Sequence, residues 1–236
     1  MSKSKLSMED ILAVLSKPYP EFDVERGKTA LLLVDMQKIV KAEVLFKEAV
    51  KAGLPKDEVR EALRNYDTRI KRAVANVQKL LEVCREKGFD IIHVKLEAPT
   101  EDPRHTAKIN RKVGLIIPPG SMESEFFEEV RPIKEELVFT KTNGGAFTGT
   151  NIDFVLRNMG ITSLIVCGFI TDQCVLATVV QAADIGYDII LVDDGCTAFT
   201  REAHEAVINS LKDMCLKVKK TSEVLNLIRK VEATSP

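Results

Sequence analysis

The chain has little net charge: 34 Lys and Arg stand against 35 Asp and Glu, a net of -1. No basic face for nucleic acid or an anionic membrane surface is indicated. It lacks any apolar run near the ~18 residues of a membrane-spanning helix. No apolar core of a secretion signal follows Met1-Ser2-Lys3-Ser4-Lys5. Its 5 cysteines are odd in number and scattered, so they do not form a disulfide framework. Without a CxxC pair or a CxxC…HxxxH spacing, a structural zinc site is not indicated either. The histidines, His93, His105 and His204, have no ligand spacing between them. His204 falls in a helical pattern and reads as structural. The expectation is a cytoplasmic protein with reduced thiols, no nucleic-acid or membrane partner, and no metal.

What remains is an ordinary globular composition, 45% hydrophobic and 29% charged over 236 residues. That is enough for one well-buried core, and a single domain over 1–236 is expected. Ser7, followed three residues later by Asp10, opens a short amphipathic helix, and Pro18 to Gly27 is a linker, so 1–28 reads as N-terminal helix plus linker. Thr29 to Asp35 is a continuous apolar run, as in a strand covered on both faces. Val59, Leu63, Tyr66, Ile70, Val74, Val77, Leu81 and Cys84 recur at helical spacing, which predicts a helix from Lys56 to Lys87 ended by Gly88. Strands are predicted at Asp90 to Leu96, Leu137 to Lys141, Ser163 to Gly168, Asp188 to Val192 and Met214 to Val218. Helices are predicted at Asn151 to Asn158, Asp172 to Ile185, Glu202 to Leu211 and Ser222 to Val231, the last capped by Thr221. Alternation of this kind implies right-handed crossovers and an α/β doubly wound, mostly parallel sheet. The segment 97–129 is rich in Pro and Gly and too long for a plain connection, so it is expected to be lid-like.

Ligands of open parallel sheets bind beyond the carboxyl ends of the strands. The polar residues there are Asp35, Lys141, Cys174 after the fourth strand, and Asp193-Asp194-Gly195-Cys196. Singly, each has a plain reading: Asp35 a helix-capping carboxylate, Lys141 a solvated strand end, Cys174 a small buried hydrophobe. Together they supply a thiol, a proton acceptor and a positive neighbour. Burial at the end of an apolar run would raise the Asp35 pKa, and a helix N-terminus would lower that of Cys174. Asn143-Gly144-Gly145-Ala146-Phe147 has neither GxxxxGK(S/T) nor GxGxxG, so it is not a phosphate loop.

The pieces Ala30 to Gln37, Lys141 with Ala146-Phe147, and Gly168-Phe169-Ile170-Thr171-Asp172-Gln173-Cys174-Val175 resemble the isochorismatase-like cysteine hydrolase superfamily. The resemblance implies a six-stranded sheet in the order 3-2-1-4-5-6. It implies a catalytic triad of Asp35, Lys141 and Cys174, with a cis peptide at Phe169-Ile170. It also implies an oxyanion hole formed by the N–H groups of Ile170 and Cys174, and a homodimer or homotetramer. Lys95-Leu96-Glu97-Ala98-Pro99 stands where metal-dependent nicotinamidases of the family carry Asp-x-His, and true isochorismate hydrolases lack the cysteine. Ile117 to Ser121 and Thr150 to Asp153 look most like the N-carbamoylsarcosine, ureidoacrylate and biuret amidohydrolases. The expected function is therefore C–N hydrolysis of a small amide, carbamoyl or ureido compound, with no cofactor. Isochorismate-type or nicotinamide-type hydrolysis, or a non-catalytic oligomeric scaffold, are the alternatives. Gln37, Asn143, Phe147 and Phe169 are candidate substrate contacts, with Arg104 and Arg111 behind them and Cys196 as the next thiol.

Overall fold

The computed structural model describes residues 6–15, 17, 19–133, 135–212 and 216–232. Six strands make one parallel sheet: β1 (Thr29–Val34), β2 (Asp90–Leu96), β3 (Leu137–Lys141), β4 (Ser163–Phe169), β5 (Asp188–Thr197) and β6 (Lys217–Lys219). Their order is β3-β2-β1-β4-β5-β6. Every residue of β1 and of β4 is buried. Side chains alternate between the faces of a strand, so both faces of the sheet centre are covered.

The helices are α1 (Met8–Leu15), α2 (Ala42–Lys51), α3 (Lys56–Lys87), α4 (Lys108–Lys112), α5 (Ile152–Asn158), α6 (Leu176–Asp184), α7 (Arg201–Leu211) and α8 (Thr221–Lys230). At α1 the Ser7 and Asp10 side chains each accept the other's backbone N–H, a capping box. α3 ends where Gly88 turns left-handed at φ 68°. The apolar face of α3, from Val59 to Cys84, is buried, and the helix packs on β5 and α8.

Three features differ from the sequence reading. α2 lies in a stretch where no element is predicted, and its side chains are at most half-buried, so its apolar signal is diluted. β5 runs five residues beyond Val192, because its pairing with β4 shifts register between Val166 and Gly168. Asp193 to Cys196 therefore lie inside the strand. Thr221 does not cap α8; its N–H and hydroxyl both bond Asp194 Oδ1, while Glu223 accepts the Lys220 N–H. The predicted start of β6 at Met214 and Cys215 lies outside the described residues.

The segment 97–129 is not a bare loop. It holds α4 and short 3-10 turns at Pro103–His105 and Met122–Ser124. It is fastened to the exit of β1 by Lys38 N–H to Glu125 O (2.7 Å) and Phe127 N–H to Met36 O (3.0 Å). Asn110 Nδ2 ties it to Thr142 O, just past β3, at 2.8 Å. No described helix is long and apolar enough to cross a membrane.

Candidate active site

Three strands of the sheet, β1, β3 and β4, deliver three side chains to one edge. Register places Val34 beside Gly168 and Val94, and Leu96 beside Lys141. Asp35 follows β1 with φ 50°, a left-handed turn that aspartate tolerates better than most residues. Lys141 is the last residue of β3. Cys174 lies five residues beyond β4.

The link from β4 to Cys174 is unusual. Gly168 has φ 137°, and the Phe169–Ile170 peptide bond is cis. Instead of entering an α-helix at Asp172, the chain makes a π-helical turn from Thr171 to Val175 before α6 begins at Leu176. Such wide turns recur at functional sites. Ile170 O accepts from the N–H groups of Gln173 and Val175, at 3.0 and 3.3 Å, and closes the turn.

Lys141 brings the cluster together. Its Nζ stands 2.7 Å from Asp35 Oδ2, donates to Asn143 O at 2.9 Å, and donates to Cys174 Sγ at 3.4 Å. The Lys141–Asp35 approach is a buried ion pair. A carboxylate accepts a proton only when ionised, and the Lys141 charge favours that form. Asp35 is 5% and Lys141 1% exposed, whereas Cys174 is only half-buried. The sulfur is thus the member that an incoming molecule meets.

Burial raises the Asp35 carboxyl above its ordinary value, with the Lys141 charge opposing. Desolvation pulls the Lys141 ammonium down, but Asp35 and Cys174 outweigh it and the net shift is upward. Burial, and then the Asp35 charge, push the Cys174 thiol up to about 12, against Lys141. This corrects the low-pKa expectation: sitting within a π turn between a buried carboxylate and a partly closed wall, Cys174 rests as a thiol. The cluster holds a proton acceptor and a proton-bearing sulfur around one cation.

The expected substrate contacts divide. Gln37 is fully buried, with Nε2 donating to Leu96 O and Ser124 O (2.9 and 3.0 Å) and Oε1 accepting from Leu96 N–H (2.7 Å). Its amide is spent on holding the ends of β2 and the 121–125 turn, so it positions the site wall. Phe169 is also fully buried and packs edge-on against Phe127 at 6.0 Å, a core contact. Asn143 is half-buried, its Nδ2 bonded to Thr148 O at 3.1 Å. Phe147 is half-buried beside Tyr187, with ring centroids 5.7 Å apart. Arg104 is exposed and chelated by Asp102, and Arg111 is exposed. Cys196 is buried and its thiol is pushed up by desolvation, so it is no second nucleophile.

After β2, Lys95 and Glu97 pair at 2.8 Å, and Glu97 also accepts the Gly120 N–H. Among the described residues no three His, Cys, Asp or Glu side chains are grouped to hold a metal. Two surface clefts, ≈ 190 and ≈ 560 Å³, run along α2 and α3. Neither is lined by Asp35, Lys141 or Cys174, so size alone does not locate the chemistry.

Comparison with known proteins agrees with the fold. The chain is 32% identical over 219 residues to the uncharacterized isochorismatase family protein YwoC of Bacillus subtilis, covering 88% of this chain and 97% of that one. It is 25% identical over 217 residues to the ureidoacrylate amidohydrolase RutB of Acinetobacter baylyi, covering 84% and 83%. A cysteine hydrolase structure from Pseudomonas syringae superposes with a TM-score of 0.74 at 22% identity, over 91% of this chain and 98% of the other. The isochorismatase domain model matches residues 29–223, and the chain belongs to the isochorismatase family of hydrolases.

Proposed function

We propose that the protein is a cysteine amidohydrolase that cleaves a C–N bond of a small amide, carbamoyl or ureido compound through a thioester. The observation that carries this reading is the Lys141 ammonium lying 2.7 Å from Asp35 and 3.4 Å from Cys174 in a buried cluster. The resemblance to an amidohydrolase adds support.

In the scheme, Asp35 takes the Cys174 thiol proton as the sulfur attacks the carbonyl carbon. The Lys141 charge stabilises the thiolate that forms. The carbonyl oxygen becomes an oxyanion bound by the Ile170 and Cys174 N–H groups. One such donor is commonly worth about 3–4 kcal/mol. Asp35 then passes its proton to the departing nitrogen, the C–N bond breaks, and an amine or ammonia leaves. Water next gives a proton to Asp35 and attacks the thioester, and that proton returns to Cys174. The high resting pKa of Cys174 suits this sequence, because the thiolate exists only while Asp35 holds its proton. The reading includes a homodimer or homotetramer; Val14 and Leu15 of α1 are exposed.

The test is ammonia and amine release from a panel of N-carbamoylglycine, ureidoacrylate, biuret and nicotinamide, and pyruvate release from isochorismate, with intact-mass trapping of the acyl adduct. Turnover of a carbamoyl or ureido member, an adduct on Cys174, and loss of both in Cys174→Ala are expected. Isochorismate cleavage, nicotinamide cleavage without the others, or full activity in Cys174→Ala overturns the reading. No turnover across the panel favours a scaffold.

A further inference from the structure

Beyond the cluster, a second chain of polar groups ends on the turn that carries the thiol. Thr171 is the first residue of the π turn and is fully buried. Its Oγ1 lies 2.9 Å from His204 Nδ1, and His204 Nε2 lies 2.8 Å from Asp193 Oδ1. The other Asp193 oxygen is bonded by Lys220 Nζ. His204 comes from α7, Asp193 from β5, and Lys220 from the residue before α8, so three elements converge on Thr171.

The direction of the bonds follows from the donors. The His204 bond, and then that of Lys220, hold the Asp193 carboxyl at about 2, so it is ionised and can only accept. His204 must therefore donate from Nε2, which leaves Nδ1 facing the Thr171 hydroxyl. The connectivity of acid, imidazole and hydroxyl matches a nucleophile relay. Thr171 is closed to any electrophile, however, so the relay has no substrate to act on.

We infer that Asp193 and His204 are positioning residues: through Thr171 they lock the π turn so that the Ile170 and Cys174 N–H groups already face the oxyanion before it forms. This rests on the cysteine-hydrolase reading above. The physical reason is preorganisation. Donors that need not move when charge develops stabilise it most, and a displacement near 1 Å costs on the order of 100-fold in rate. The turn is also held by its two bonds to Ile170 O, by Thr178 Oγ1 donating to Cys174 O at 2.7 Å, by the Lys141–Cys174 contact, and by its continuation into α6.

Two reactions of the same sulfur separate this role from a merely structural one. Acylation by p-nitrophenyl acetate joins Cys174 Sγ to the acetyl carbon, expels p-nitrophenolate, and passes through an oxyanion. Alkylation by iodoacetamide needs the same thiolate, displaces iodide, and uses no oxyanion hole. In His204→Ala and Thr171→Val, the acylation burst per titrated thiol should slow about 10- to 100-fold. Alkylation should stay within about twofold. His204→Gln offers an amide oxygen toward Thr171 and an N–H toward Asp193, and should recover most of the burst. Unchanged acylation, equal slowing of both reactions, or no recovery in His204→Gln overturns the inference. A burst that persists in Cys174→Ala instead overturns the reading beneath it.

Discussion

Gly168 passes so close to Val34 that a Cβ built on it would stand 2.0 Å from the Val34 carbonyl oxygen. This contact joins the two strands that lead to Asp35 and Cys174, and φ 137° at Gly168 is open to glycine but hardly to other residues. Backbone on both sides leaves nothing flexible to yield. Gly168→Ala should destabilise the fold by at least about 3 kcal/mol or yield insoluble protein. Urea unfolding checks it; a midpoint near the wild type would show that β1 and β4 can separate here without cost.

Lys141 is buried with its charge compensated by Asp35. Removing one partner of a buried pair leaves the other ion unpaired, typically at a cost of about 3–5 kcal/mol. Lys141→Met should therefore lose both activity and stability, and Asp35→Asn with Lys141→Met should regain stability but no turnover. A double-mutant cycle in denaturant gives the coupling, and additive effects would contradict a buried pair.

Because burial raises the Asp35 pKa, its base form is lost on acidification earlier than in an ordinary carboxylate. The acid limb of kcat/KM should lie above the ordinary aspartate value of 3.8, and Asp35→Asn should be inactive at every pH. With its pKa pushed up to about 12, the resting Cys174 thiol should react with iodoacetamide slowly at pH 7 and faster as pH rises. Rapid, pH-independent alkylation near pH 6 would mean a stable thiolate and a different division of the proton.

Gln37 makes all of its amide bonds to the chain itself. Gln37→Glu can still accept from Leu96 N–H but cannot donate to either carbonyl. It should cost about 2–4 kcal/mol from unsatisfied buried groups, with kcat falling as the wall of the site loosens. An effect on KM alone, with Tm unchanged, would return Gln37 to the substrate.

For Asp193 the linkage runs through its pKa, about 2 in the folded protein against 3.8 for an ordinary aspartate. The stabilisation is present above the unfolded value and disappears as pH falls through the folded one. At neutral pH the shift corresponds to about 2 kcal/mol. Asp193→Asn should be less stable than the wild type at pH 7 by roughly that amount, and the gap should close between pH 4 and pH 2. A gap that does not depend on pH would show that the ionised form is not what is favoured.

Much of the architecture is legible in one dimension. α3, β2 and β3 occupy the predicted residues, because helical periodicity, a terminal glycine and short apolar runs are local signals. α2 was not legible: a helix whose side chains are at most half-buried shows little contrast between its faces. The extension of β5 was not legible either, since it depends on a register shift against a neighbouring strand. At the site, the residue types and their places at strand ends were readable. The duties of Gln37 and Phe169 were not, because a polar or aromatic side chain beside a site can face the ligand or the core, and only packing tells which.

The sequence by itself determined the alternation of strands and helices, and hence which residues reach the carboxyl edge of the sheet. Local backbone preference and hydrophobic periodicity suffice for that. The tertiary structure decided how those residues share protons. Burial raises the Asp35 carboxyl against the 2.7 Å approach of Lys141, and burial with the Asp35 charge keeps Cys174 protonated. It also decided that His204, Asp193 and Thr171 meet, although they are separated in the chain by up to 33 residues. Desolvation and the joining of distant hydrogen-bond partners exist only once the chain has closed on itself, and that is where the chemistry of this edge is set.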